Sequence, residues 1–249
     1  AGLIIFPLAY LGQKLWPDKK NWLLLVFLFI VSDAFLEFPW LGFAEPLFSL
    51  LLLISICFVI KAAENQNYFL LAALFASLSY WVKPQGLVSL LVIIVGFLFL
   101  KKLRTQIKWF YLLYIIIIFF LVAAPFLYQR YLYFGSAFSY GENDKFMVDT
   151  YEQLWGKMFA QPTLTKYLAS HSLQEVFNKF FFYGFLQILA FYIHYIIPPL
   201  LLLFFLWGVL KNRDWPICFF SWSLLIWVIA FMPIFAVLGT YRHLYHTLP

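Results

Sequence analysis

Apolar residues run almost unbroken through eight stretches of the chain, near residues 1–16, 22–36, 46–60, 68–82, 87–100, 109–127, 180–210 and 216–238. They are too long and too continuously apolar for barrel strands of ~10 alternating residues. Each is long enough, or nearly so, for a helix to cross the ~30 Å hydrocarbon core of a bilayer, which takes about 20 residues. A backbone in that core satisfies its hydrogen bonds only as helix or closed barrel. The pattern therefore predicts an all-α, polytopic transmembrane bundle of about eight helices, a single domain over residues 1–249.

The polar positions between these stretches are unevenly signed. Lys14, Lys19 and Lys20, then Lys61, then Lys101, Lys102, Arg104 and Lys108, then Lys211 and Arg213 fall in alternate connections. The positive-inside rule places those connections in the cytoplasm. Ten basic and three acidic residues lie on that side, against seven and eight opposite. The net charge of +6 is thus topological, and nucleic acid is not invoked as a partner. Trp16, Trp22, Trp109 and Trp215 mark the inner interface and Trp40, Trp81 and Trp155 the outer one, as an aromatic belt does.

Composition agrees with this class. The chain is 65% hydrophobic and 11% charged, whereas soluble domains carry roughly a quarter charged residues. Cys57 and Cys218 fall toward the cytoplasmic ends of their helices without metal-ligand spacing, and are expected to be reduced packing residues. The first residue is Ala, no basic leader precedes the first stretch, and that stretch runs inward. An outward helix and an external loop are expected before Ala1, and further chain after Pro249.

Segment 128–179 is the one long external connection, and loops of that length are usually functional or disordered. Leu154, Trp155, Met158 and Phe159 recur at helical spacing among polar residues, as do Leu173, Val176, Phe177 and Phe180. Two interfacial helices on the outer leaflet fit this pattern, and so does a simple cap over the bundle. Stretches 68–82 and 87–100 are short for a bilayer, so their shared turn, Lys83-Pro84-Gln85-Gly86, is expected below the outer surface. A recessed lysine requires an anionic partner or a water-filled cavity. Pro198-Pro199 removes two donors from its helix and is expected to kink it.

Candidate chemistry gathers on the outer side. Asp33, Glu37 and Glu45 share one external loop, where carboxylates suit a divalent cation or a polar acceptor. Glu45 before Pro46 also suits a helix start, and the two readings are compatible. Lys83, Arg242 and His243 come from different external turns and are placed to meet a phosphate, Arg as a fork and Lys as a point charge. Their alternative is interfacial snorkelling. His246 lies within a turn of Arg242, and His194 reads as a packing histidine or a proton relay. His171 receives no role. There is no Gly-rich phosphate loop, nucleophile elbow, paired-Cys motif or His-Glu-x-x-His helix. The interiors of 46–60, 87–100, 109–127 and 216–238 carry essentially no charge, which weighs against an ion-coupled transporter.

Four segments carry a resemblance. Phe43-Ala44-Glu45-Pro46-Leu47-Phe48 and, after two apolar helices, Trp81-Val82-Lys83-Pro84-Gln85-Gly86 resemble the Thr-Glu-Pro-Leu-Phe and Thr-Arg-Pro-x-Gly stretches of GT-C glycosyltransferases, akin to protein mannosyltransferases and the aminoarabinose transferase of lipid A. Tyr128 to Phe138 is similar to the Asn-Tyr-x-x-Phe-Gly-x-Pro-Phe segment of bacterial members, and Tyr241 to Pro249 to their Arg-Tyr-Leu-Leu-Pro-x-Leu-Pro stretch. Ala44, Lys83, His243 and His246 depart from the family pattern.

The resemblance implies an inverting transfer of a sugar from a polyprenyl-phosphate donor to a lipid, glycan or protein acceptor, in a multi-pass protein of a bacterial or archaeal plasma membrane. It implies an active site on the extracytoplasmic face, with membrane lipids around it. Glu45 would then stand on the acceptor side with Asp33 and Glu37, and would hold a divalent cation if one is used. Lys83, Arg242 and His243 would bind the donor phosphate. The general base would be an Asp of the first external loop, expected before Ala1. The rival class is a polytopic lipid or polysaccharide transporter or polymerase, which predicts a path open to both faces. A membrane scaffold predicts no polar cavity.

Overall fold

The computed structural model describes residues 2–15, 22–23, 26–27, 45–134, 137, 164–191, 214–219, 221–223, 225–226 and 229–230. Its elements run α1 (Ile5–Leu15), α2 (Glu45–Ala62), α3 (Tyr68–Val82), α4 (Leu87–Phe99), α5 (Lys101–Gln106), α6 (Phe110–Phe134), α7 (Leu164–Ser170), α8 (Leu173–Phe177) and α9 (Gly184–Phe191). A 3₁₀ turn precedes α1, another joins α3 to α4, and a π-helix, Asn178–Tyr183, joins α8 to α9. Among the described residues there is no strand. The chain divides into two compact units, Ala1–Phe126 with Trp207–Leu224 and Leu127–Leu206 with Leu225–Pro249.

In the first unit, α2 and α3 form an antiparallel hairpin around small residues. On α3 the buried positions Phe69, Ala72, Ala73, Ala76, Ser77 and Tyr80 repeat at three- and four-residue steps, one face of a helix. Three alanines on that face let backbones approach closely, as small residues do between apolar helices. Ser55 Oγ donates to Ala72 O at 2.8 Å, and the Phe58 ring stacks on Tyr68 and Phe75 at 5.8 and 5.4 Å. Gly96 on α4 serves the same end, since a Cβ there would lie 2.6 Å from Cε2 of the fully buried Phe219.

Helix α6 is apolar all round. Its Tyr111, Ile115, Phe119 and Ala123 are buried at four-residue spacing. Phe110, Leu113, Tyr114, Ile117, Phe120 and Leu121 form an exposed stripe at the same period. A helix that is apolar on its exposed face as well as its buried one suits hydrocarbon rather than water. Ser77 Oγ donates to Phe119 O at 2.7 Å and Trp81 Nε1 to Val122 O at 2.8 Å, tying α3 to α6. Pro125 deprives the Leu121 carbonyl of its helical donor, so the ladder is open beside the carbonyl that the indole reaches.

Among the described residues, Phe110–Tyr133 is the one helix long and apolar enough to cross a membrane, and the apolar helices Gly2–Leu15, Pro46–Ala62, Tyr68–Val82 and Leu87–Phe99 are shorter. The expected ends of the third, fourth and fifth stretches agree with α2, α3 and α4 to within two residues. The sixth runs on to Phe134 rather than 127, so the long connection starts later than expected. The helix continues through Gln129 and Arg130, where the apolar run itself is broken. Helix α5 was not expected at all.

In the second unit, Ser172 caps α8 reciprocally: its Oγ accepts from Glu175 N, and Glu175 Oε2 accepts from Ser172 N at 2.8 Å. The helical spacing of Leu173, Val176 and Phe177 is realised in α8, which continues through the π-helix into α9. The other expected interfacial helix, around 151–159, lies outside the described residues, as does Pro198-Pro199.

Candidate functional site

The turn between α3 and α4 is built by its own sequence. A residue before proline is driven out of the helical region, and Lys83 accordingly adopts φ −147°, ψ 137° and ends α3. Lys83 N still donates to Ser79 O at 2.9 Å, and Gly86 N donates back to Lys83 O at 2.8 Å, closing a tight return. A Cβ on Gly86 would meet the Tyr80 backbone nitrogen and would lie 2.5 Å from Ser79 C and Tyr80 Cα. The glycine is required by this close approach to the α3 backbone. Beneath it, the buried Ser79 hydroxyl donates to Ala76 O at 2.7 Å and lies 3.3 Å from Ser89 Oγ on α4. The turn therefore rests on a rigid hydrogen-bonded base, with Lys83 partly buried at its start.

Glu45 opens α2, and the α2–α3 hairpin returns the chain to that same end at Lys83. The opposite end of the hairpin is basic. Lys14 Nζ donates to Glu64 Oε1 at 2.7 Å, while Lys61 Nζ lies over the Tyr10 and Tyr68 rings at 5.1 and 5.5 Å. Tyr111 OH donates to Asn67 Oδ1 at 2.8 Å, which seats the start of α6 against the α2–α3 turn. Three of the four basic connections thus meet at one end of this unit, and Glu45 and Lys83 mark the other.

Of the six candidate site residues, Glu45 and Lys83 fall at this end of the hairpin, one at the start of α2 and the other just past α3. Asp33, Glu37, Arg242 and His243 lie outside the described residues, as do His194 and His246. No three His, Cys, Asp or Glu side chains converge as metal ligands among the described residues. The divalent-cation expectation therefore rests on Glu45 with Asp33 and Glu37. Cys57 and Cys218 are free thiols, Cys57 buried.

Two polar residues of interest were not singled out from sequence. Gln85, in the turn, has its Oε1 buried without a hydrogen-bond partner among the described residues. An unpaired buried acceptor costs ~1–3 kcal/mol and is the kind of group a ligand hydroxyl satisfies. Arg130, near the end of α6, is only 4% exposed. An arginine is almost never this buried unless its guanidinium is paired. Both belong to segments that carry the resemblance, yet nothing in their residue type announces burial.

The second unit holds a compact polar cluster. Lys179 Nζ donates to the hydroxyl of the buried Tyr167 at 2.8 Å and lies 4.5 Å from its ring centroid. His171 stacks on the same ring at 4.1 Å, with Nδ1 3.0 Å from Tyr167 O. These contacts account for His171 as packing across the α7–α8 junction.

No family model matches the chain, and no curated protein or solved structure matches it.

Proposed function

We propose that this chain forms a polytopic membrane unit of a GT-C type glycosyltransferase, which moves a sugar from a polyprenyl-phosphate donor to an acceptor on the side of Glu45 and Lys83. The observation that carries the reading is the α2–α3 hairpin, which sets the Glu45-Pro46 and Lys83-Pro84-Gln85-Gly86 motifs at one end and the basic connections at the other. Motifs separated by nearly forty residues would share a site only if the chain between them folds back on itself, as it does here.

In this reading the acceptor oxygen attacks the anomeric carbon from the face opposite the phosphate, a base takes its proton, and the bond to the phosphate oxygen breaks. Lys83 serves the departing polyprenyl phosphate, because a fixed ammonium in a site of low dielectric stabilises charge that develops as the bond opens. Glu45, with Asp33 and Glu37, serves the acceptor or a cation that orients it. Gln85 supplies an acceptor for a sugar hydroxyl. No role as base is assigned to any of these residues.

The test is sugar release from a labelled polyprenyl-phosphate hexose by the full-length protein in proteoliposomes. Lys83→Met is expected to lower transfer by on the order of 10²-fold, the scale of removing one charge-stabilising group. Lys83→Arg should restore part of it. Undiminished transfer in both Lys83→Met and Glu45→Gln would overturn the assignment.

A further inference from the structure

At the basic end of the first unit, residues 64–66 of the α2–α3 turn face residues 104–109 across an open cleft of about 660 Å³. Arg104 and Lys108 supply two cations, and Asn65, Gln66, Thr105 and Gln106 add amides and a hydroxyl. Trp109 closes one side, 59% exposed, with its ring edge-on to Phe97 at 5.0 Å. The one carboxylate on the wall, Glu64, is engaged by Lys14 at 2.7 Å, which offsets its repulsion of an anion.

The cations are held in place, not merely left on a loose loop. Leu103 and Ile107 are 0% and 2% exposed, so α5 is pinned to the bundle by its apolar side while Lys101, Lys102, Arg104 and Lys108 stay exposed. Lys108 Nζ lies 5.8 Å from the Phe110 ring, at the mouth of the apolar helix α6. A basic cleft level with an exposed tryptophan, at the end of a membrane-length helix, has the chemistry that lipid headgroups meet at a membrane interface.

We infer that this cleft binds the phosphodiester headgroup of an anionic lipid of the adjoining leaflet, through Arg104 and Lys108. The inference rests on the membrane reading but not on sugar transfer. Arg forks a phosphate through two N–H donors and Lys adds a point charge. The exposed Trp109 ring and the apolar flank of α6 suit the acyl chains that a free phosphate lacks.

The test uses the full chain in vesicles of phosphatidylcholine mixed with phosphatidylglycerol, with the lipids that stay bound after extraction identified by native mass spectrometry. Wild type is expected to retain phosphatidylglycerol over phosphatidylcholine, and Arg104→Gln with Lys108→Gln to lose that preference about tenfold. Lys145→Gln, in a different connection, should keep it. The double variant changes two exposed residues, and equal thermal unfolding of both variants shows that they fold. No preference in wild type, or one that survives the double variant, overturns the inference. Displacement by millimolar inorganic phosphate shows a site for free phosphate and overturns the lipid assignment. Failure of the chain to integrate into the vesicles overturns the membrane reading itself.

Discussion

Lys14 Nζ and Glu64 Oε1 meet at 2.7 Å although fifty residues separate them, so the end of α1 is fastened to the α2–α3 turn. The Lys14 hydrogen bond, and then its charge, hold the Glu64 carboxyl below its ordinary value of 4.5. Because the folded value is the lower one, the pair's contribution is fully present above the unfolded value and is lost as pH falls through the folded one. The side chains are 38% and 62% exposed, and solvent screening limits the pair to ~0.2–1 kcal/mol. Thermal unfolding in detergent is expected to show Glu64→Gln less stable than wild type at neutral pH. The difference should vanish in acid.

Two glycines give contrasting predictions. Gly86 presses on backbone, which cannot yield, whereas Gly96 presses on the ring of Phe219. Gly86→Ala is expected to cost at least the ~1–3 kcal/mol of overpacking, and Gly96→Ala less, because a ring can turn about its side-chain torsions. Equilibrium unfolding of the two variants in one detergent ranks them. The reverse order would show that the α3–α4 turn is not the tighter contact.

Leu121 stands at the middle of α6 and is 71% exposed. In water, Leu121→Lys at such a site would change stability within about 0.5 kcal/mol. In a bilayer the same charge at the centre of a span costs at least ~2.5–3.5 kcal/mol. The variant is expected to fall sharply in membrane-integrated yield relative to Leu121→Ala, measured by carbonate extraction.

Much of the helical architecture could be read from the chain. Stretch 68–82 became α3 at its expected ends because Asn67 and Pro84 interrupt an unbroken apolar run. Helix α5 was missed because its six residues hold three cations, and its period rests on Leu103 with Ile107 just beyond. The end of α6 was missed because Gln129 and Arg130 break the apolar run, yet the helix continues through both. At the site, Pro84 and Gly86 announced the Lys83 turn, since both residue types carry backbone information. Gln85 and Arg130 did not, because burial of a polar side chain depends on neighbours distant in sequence. The convergence of Lys14 with Glu64 was legible only as the assignment of their two connections to the same side by loop charge.

The central claim is that the Lys83 turn and the Arg104–Lys108 connection face opposite sides of a membrane. Single cysteines at Lys83 and Lys108, in a chain with Cys57→Ala and Cys218→Ala, test it with an impermeant maleimide added to intact cells and then to inverted vesicles. The account predicts that Lys83→Cys is labelled in intact cells and Lys108→Cys in inverted vesicles. Labelling of both from the same side would contradict it.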